Sequence, residues 1–265
     1  MDSRTRVSAR HALDSYEMHP LRKPARHGLL SPATSFVGTK SHRLTFTFKS
    51  RAMCNLYSVT KGQEAIRQLA KAMRDTTGNL PPLPDVFPDQ LAPVVRTAKD
   101  GERELTMMRW GFPPPPNSKA RMVTNVRNVN SPYWRGWLDR FRCLVPATSF
   151  CEYTDTTPKV PHWFALDDSR PIFFFAGIWR PWTGTRGTKA NPVEGEHRLY
   201  AFLTCEANEL VRPIHAKAMP VLLTTENEAD QWLSASVEEA LELQRQLPAD
   251  KMMIVAKGER KDEAA

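Results

Sequence analysis

The chain has 265 residues, 41% of them hydrophobic, which is enough to bury one large core or two small ones. Its formal charge of +8 is unevenly placed: residues 1–52 hold ten Lys/Arg and three Asp/Glu, leaving 27 Lys/Arg against 26 Asp/Glu beyond them, so bulk charge gives no argument for a polyanionic partner of the folded part. Cys54, Cys143, Cys151 and Cys205 form no C-x-x-C pair, which argues against a zinc ribbon and, with no secretory signal, for a reducing compartment, while the longest apolar run, Ile172 to Trp179, is too short to span a bilayer.

Residues 1–52 are rich in Arg, Ser, His and Thr and poor in acids, with no sustained apolar period beyond a short Leu44–Phe48 alternation. They read as an untranslated upstream extension, a targeting peptide or a propeptide. The first is preferred, because Met53–Cys54 makes a natural start and nothing upstream resembles a packed domain. The domain is expected over 53–258, followed by a charged tail at 259–265.

In chain order, Thr60 and Gln63 suggest a capping box leading into a helix over 61–74, with Ile66, Leu69, Ala70 and Met73 on one face. Val94–Ala98 and Glu104–Trp110 read as strands around an Asp100–Gly101 turn. Four prolines follow, from 113 to 116, and a short strand end falls at Val123–Asn125. Ser131 and Pro132 fit the N-cap and first position of a helix whose Trp134, Trp137, Leu138 and Phe141 share one face. Arg142–Pro146, His162–Leu166 and Ile172–Ile178 are expected strands, and Trp182–His197 a loop without period. Leu199–Thr204 and Val221–Leu223 are further strands. Capped helices open at Thr225 and Ser236, and Met252–Val255 is a last strand. Strands and helices do not alternate regularly. The pattern implies a mixed α+β fold around a curved or barrel-like antiparallel sheet, with peripheral helices.

Four segments place reactive groups beside apolar strands. Once Met53 and all before it are gone, Cys54 carries an α-amine and a thiol on adjacent carbons, with ordinary pKa values near ~8 and ~8.5. Such a 1,2-aminothiol condenses with an aldehyde to a thiazolidine, or serves as an acyl-transfer nucleophile. A buried packing cysteine is the plain alternative. The other three segments are Thr124–Asn128, Phe150–Tyr153 with Glu152, and Ile214–Pro220 with His215. Each has an ordinary reading: a turn asparagine, a solvated Arg127, a strand-end carboxylate, a satisfied loop histidine.

Taken together and in this order, the segments resemble the SOS response-associated peptidase (SRAP) family over residues 53 to about 258. The matching residues are Met53–Cys54, Arg109–Trp110–Gly111–Phe112, Asn125–Val126–Arg127, Cys143–Leu144–Val145–Pro146 leading to Glu152, Thr204–Cys205–Glu206–Ala207–Asn208, Ile214–His215 and Met219–Pro220. The chain departs from the family pattern at Leu56, Val129, Ser149, Tyr153 and Lys217, and has an extra residue between His215 and Met219.

The resemblance implies a protein that traps abasic sites in single-stranded DNA as a covalent thiazolidine, and a self-processing peptidase activity that exposes the Cys54 amine. It implies Cys54, Asn125, Glu152 and His215 as catalytic residues: Asn125 holding the amine, Glu152 shuttling protons, and His215 opening the sugar or holding its hydroxyl. Arg127 and Lys217 would meet phosphates, and Trp110 would stack on a base. It implies no cofactor and no metal, single-stranded DNA with abasic sites as the partner, no membrane, a monomer, and a cytoplasmic location, at the nucleoid when bound to damaged DNA. Two other classes stay open: an amidohydrolase with an N-terminal cysteine nucleophile, and a non-catalytic single-strand binding module.

Overall fold

The computed structural model describes residues 54–262 except 117 and 119–121. The expectations for residues 1–52 and for Met53 lie outside the described residues. The elements are β1 (Tyr57–Val59), α1 (Gln63–Ala70), β2 (Arg74–Asp75), β3 (Leu83–Val86), β4 (Leu91–Thr97), β5 (Arg103–Trp110), β6 (Asn125–Val126), α2 (Pro132–Arg140), β7 (Arg142–Ala147), β8 (Ser149–Tyr153), β9 (Pro161–Ala165), β10 (Phe173–Gly187), β11 (Pro192–Cys205), β12 (Met219–Pro220), β13 (Leu222–Leu223), α3 (Glu226–Ser234), α4 (Val237–Leu241) and β14 (Met253–Lys257).

Strands β5, β4, β7, β10 and β11 pair antiparallel in that order. The ring then closes by a parallel contact of β11 with β5, Leu199 opposite Arg109 and Tyr200 opposite Trp110. The expected α+β class with a barrel-like core is therefore what forms, with one parallel seam in a largely antiparallel barrel. Closure leaves no edge strand within the ring, and large side chains fill the core. Phe175 and Phe202 stack at 4.5 Å, and Trp110 lies over Phe202 at 5.2 Å. A second sheet runs β3–β1–β8–β9–β14. Its Tyr57 sends a ring to Trp110, Phe175 and Phe202, and its hydroxyl meets the Tyr200 hydroxyl at 2.5 Å. Such a buried phenol pair satisfies two polar groups at once.

Local signals held where the chain is short and capped. Asp100–Gly101 turns β4 into β5, with Gly101 at φ +87°. Ser131 precedes α2 with Pro132 at its start, and both capping boxes, Thr225/Glu228 and Ser236/Glu239, form at α3 and α4. Trp134 is buried in the core, and Trp137 packs on Phe112 and under the Arg180 guanidinium.

Two expectations fail for tertiary reasons. The N-cap of α1 is Gly62, with no side-chain cap. Thr60 instead bonds Thr148 Oγ1, and Gln63 reaches Asp75 Oδ2 and the Leu80 N–H. The helix stops at Ala70, because Arg74–Asp75 leave it to pair with β5. The second failure is the loop at 182–197, which is the outer half of a long hairpin paired as far as Gly187 opposite Pro192. One of its faces is exposed and the half-buried one carries Trp182, Gly184 and Arg186, so no apolar alternation marks it. The ladder holds it, along with Trp182 stacked on His197 at 5.9 Å and an Arg186–Asp89 ion pair at 2.7 Å. At the other end, Glu259 and Asp262 pack in. The Glu259 carbonyl accepts from Trp163 Nε1, and the Asp262 carboxylate accepts from Arg170 Nε at 2.8 and 2.9 Å and from Ser149 Oγ at 2.5 Å.

Candidate active site

The β1–β8 register determines where Cys54 lies. Tyr57 stands opposite Phe150, and the Cys151 N–H donates to Leu56 O at 2.9 Å. Continued by two residues, that register sets Asn55 opposite Glu152, and the thiol of Cys54, one residue earlier, hydrogen-bonds the Glu152 carboxyl. The thiol is buried, 3.7 Å from Leu56 O and 3.8 Å from Cys151 O. Glu152 is 3% exposed, so its carboxylate has lost nearly all contact with bulk water.

His215 arrives from the loop between β11 and β12. Asn208 shapes that loop: Oδ1 accepts the Leu210 and Val211 amides at 3.1 and 2.9 Å, and Nδ2 donates to Leu247 O at 2.8 Å. The turn so formed carries a bond from the His215 N–H to Val211 O. The His215 ring then places Nδ1 2.9 Å from Ala218 O and 3.6 Å from Glu152 Oε2. A carbonyl only accepts, so Nδ1 is the donor to Ala218 O. Among the described residues, Nε2 is buried without a partner, as is Glu152 Oε1.

Asn125 lies on β6, which pairs parallel with β11. Thr124, just before it, donates its hydroxyl to Asn55 Oδ1 at 2.9 Å, tying this segment to the residue after Cys54. Both amide atoms of Asn125 are buried and unpartnered. Four unsatisfied polar atoms on three buried side chains are costly, at about 1–3 kcal/mol each. Such a concentration marks a surface built to receive polar atoms from elsewhere.

The electrostatics follow from burial. Loss of solvent pushes the Glu152 carboxyl well above the usual carboxylate range, with the Cys54 thiol hydrogen bond opposing it. Burial, reinforced by the Glu152 charge, pushes the Cys54 thiol well up as well. Burial therefore disfavours the charged form of both groups. Cys151 and Cys205, raised by burial to about 12 and about 11, are poor nucleophiles too.

The three residues expected to contact DNA fare differently. Lys217 is exposed. Arg127 is partly exposed, but its Nη1 donates to Cys205 O at 3.0 Å and Lys217 O at 2.8 Å, so it first of all ties β11 to the His215 loop. Trp110 must be corrected. It is 0% exposed, stacked between core aromatics, and offers no face to a base. Its indole N–H donates to Thr124 O at 3.1 Å, so it supports the backbone that presents Asn125. One further support escaped the sequence reading. Gln244 Nε2 donates to both Arg127 O and Thr204 O at 2.9 Å, clamping β11 to the strand after Asn125. No local signal announces a glutamine that acts so far along the chain. Among the described residues, no cluster of His, Cys, Asp and Glu is placed to hold a metal ion.

The closed mixed barrel thus carries a buried thiol, carboxyl and imidazole close together, with the Asn125 amide next to the Thr124 that bonds Asn55. The sequence model of the family described as SOS response associated peptidase (SRAP) matches residues 53–257, and the chain belongs to that family. It is 33% identical over 166 residues to the abasic site processing protein YoqW of Bacillus subtilis (strain 168), covering 59% of this chain and 69% of that one. It is 32% identical over 168 residues to the abasic site processing protein YobE of the same organism, covering 59% and 70%. Among solved structures, a Bordetella bronchiseptica protein matches with a TM-score of 0.60 at 24% identity, over 77% of this chain and 98% of that one. A Bacteroides thetaiotaomicron protein matches with 0.57 at 23%, over 76% and 90%. At this identity the structural matches speak for the fold alone.

Proposed function

We propose that the protein, once its chain begins at Cys54, processes abasic sites in single-stranded DNA by capturing them covalently. The ring-opened abasic sugar presents an aldehyde. The Cys54 α-amine adds to it, water leaves, and the thiol adds to the resulting imine carbon to close a thiazolidine. Because burial keeps the thiol protonated, the amine attacks first. Protonated Glu152 gives its proton to the departing hydroxyl and takes one back from the thiol as the ring closes. His215 Nε2 accepts from a sugar hydroxyl, and Asn125 receives the amine with its donor and acceptor. Arg127 and Lys217 sit by the phosphates. For self-processing, the Cys54 thiol attacks the preceding carbonyl, the C–N bond breaks to release the α-amine and leave a thioester, and water then hydrolyses the thioester to return the thiol.

The observation that carries this reading is the set of unpartnered buried atoms on Asn125, Glu152 and His215 around a buried thiol. The names of the YoqW and YobE relatives, both abasic site processing proteins, support the substrate. The test is a denaturing gel of the protein with an abasic single-stranded oligonucleotide, alongside intact mass of the protein. A heat-stable adduct from a chain whose mass begins at Cys54, lost in Cys54→Ala, is expected. An adduct that survives Cys54→Ala at the same yield sinks the thiazolidine.

A further inference from the structure

The barrel has a second mouth, at the end away from Cys54. Strand β7 runs from that mouth at Arg142 to Ala147, next to the strand that carries Glu152. Along β11, Arg198 at the mouth is seven residues from Cys205, whose carbonyl Arg127 holds, or about 23 Å of strand. The mouth is an open cavity of about 850 Å³, walled by Arg96, Glu104, Phe141, Trp179, Pro181 and Arg198. That is within the range of small-ligand pockets, roughly 300–1,000 Å³.

Its charges are not fully matched. Arg74 is taken by Asp100 at 2.6 Å and Glu102 at 2.8 Å. Arg96 uses one nitrogen on the buried Glu104 at 2.6 Å and lies over the Trp179 ring at 5.0 Å. Its Nε is buried with no partner. Arg198 makes no ion pair among the described residues, only a 3.4 Å bond to Thr106 Oγ1. Burial and then the Arg198 charge disfavour the Arg96 cation, while Glu104 favours it. Lys99 and Glu196 stand on the exposed rim. Two guanidiniums thus stand beside an aromatic wall with only one of them on the buried carboxylate, and an anion between them would relieve both the repulsion and the idle Nε–H.

We propose that this mouth is a second ligand site, taking a phosphate monoester of nucleotide size with its phosphate between Arg96 and Arg198 and its aromatic part against Phe141 and Pro181. A dianion gains more than a carboxylate where two cations face it. The same chemistry is offered by a free nucleotide and by the phosphorylated end of a DNA strand.

Calorimetric titration with deoxyadenosine 5′-monophosphate, and with deoxyadenosine as control, tests the site. Binding of the monophosphate alone is expected, weakened about tenfold or more by Arg198→Gln, partly restored by Arg198→Lys, and tightened by Glu196→Gln, which removes the competing acid from the rim. Equal binding of both compounds, no binding, or indifference to Arg198→Gln overturns the site. Oligonucleotides without an abasic site, with and without a 5′-phosphate, separate the sources. An Arg198-dependent gain from the phosphate identifies a strand end; monophosphate binding with no such gain identifies a free nucleotide. Capture of abasic DNA should be unchanged in Arg198→Gln, and a parallel loss would put Arg198 in the path of the processed strand and overturn a separate site.

Discussion

Glu152→Gln should damage the chemistry and stabilise the fold. The exchange keeps the shape of the side chain but removes its ability to pass a proton. Positioned acid–base groups contribute about 10²–10⁴-fold, so the rate of abasic-site capture should fall at least ~100-fold, while affinity for undamaged single-stranded DNA stays within about threefold. The stability effect follows from burial. The folded Glu152 carboxyl titrates above its ordinary value because it is desolvated, and its Oε2 is 3.6 Å from a His215 nitrogen already engaged with Ala218 O. Above the ordinary carboxylate pKa of about 4.3 the unfolded chain releases a proton that the folded chain keeps. That contribution is fully present below the unfolded value and is lost as pH rises toward the folded one, at up to about 1.4 kcal/mol per pH unit. Glutamine does not titrate, so the melting temperature of Glu152→Gln minus that of the wild type should grow as pH rises above 5. For a domain of this size the growth should be roughly 3–6 °C per unit. Melts at several pH values read the stability, and single-turnover gels read the capture. A flat temperature difference across pH, or equal losses of capture and DNA affinity, would refute the reasoning.

Three further outcomes follow. Asp262→Asn leaves Arg170 buried and half-partnered and should cost about 3–5 kcal/mol, read by urea denaturation, whereas the paired exchange Arg170→Met with Asp262→Leu should recover much of it. Gly177→Ala would put a methyl 2.8 Å from Cys143 Sγ and 2.9 Å from Val145 Cγ2, between two central barrel strands, and should cost about 1–3 kcal/mol. All four cysteines are free and buried with raised pKa values, so iodoacetamide near neutral pH should label the folded protein far more slowly than the denatured one. Rapid labelling of Cys54 would contradict a neutral thiol.

Legibility varied with the range of the interaction. Signals that act within a few residues were readable: the Asp100–Gly101 hairpin, the Pro132 start of α2, and the capping boxes at Thr225 and Ser236. The Thr60–Gln63 pattern looked equally good and failed, because Thr148 and Asp75 compete for the same side chains from other strands. The outer hairpin was missed because its half-buried face carries Trp182, Gly184 and Arg186, which give no apolar alternation. Trp110 was misassigned because an indole that packs a core and one that stacks on a base have the same chemistry. Only its position between Tyr200 and Phe202 distinguishes them.

By itself, the order of residues determined the class of the fold and named the cysteine, amide, acid and imidazole, since these depend on composition, local propensity and a recurring set of motifs. The tertiary structure decided how they meet. The β1–β8 pairing brought the Cys54 segment to β8, where the thiol bonds Glu152, the Asn208 turn aimed His215, and Trp110 and Gln244 held the segments around Asn125. It also raised the Glu152 and Cys54 pKa values, because burial is a property of the whole chain's packing and no single segment carries it.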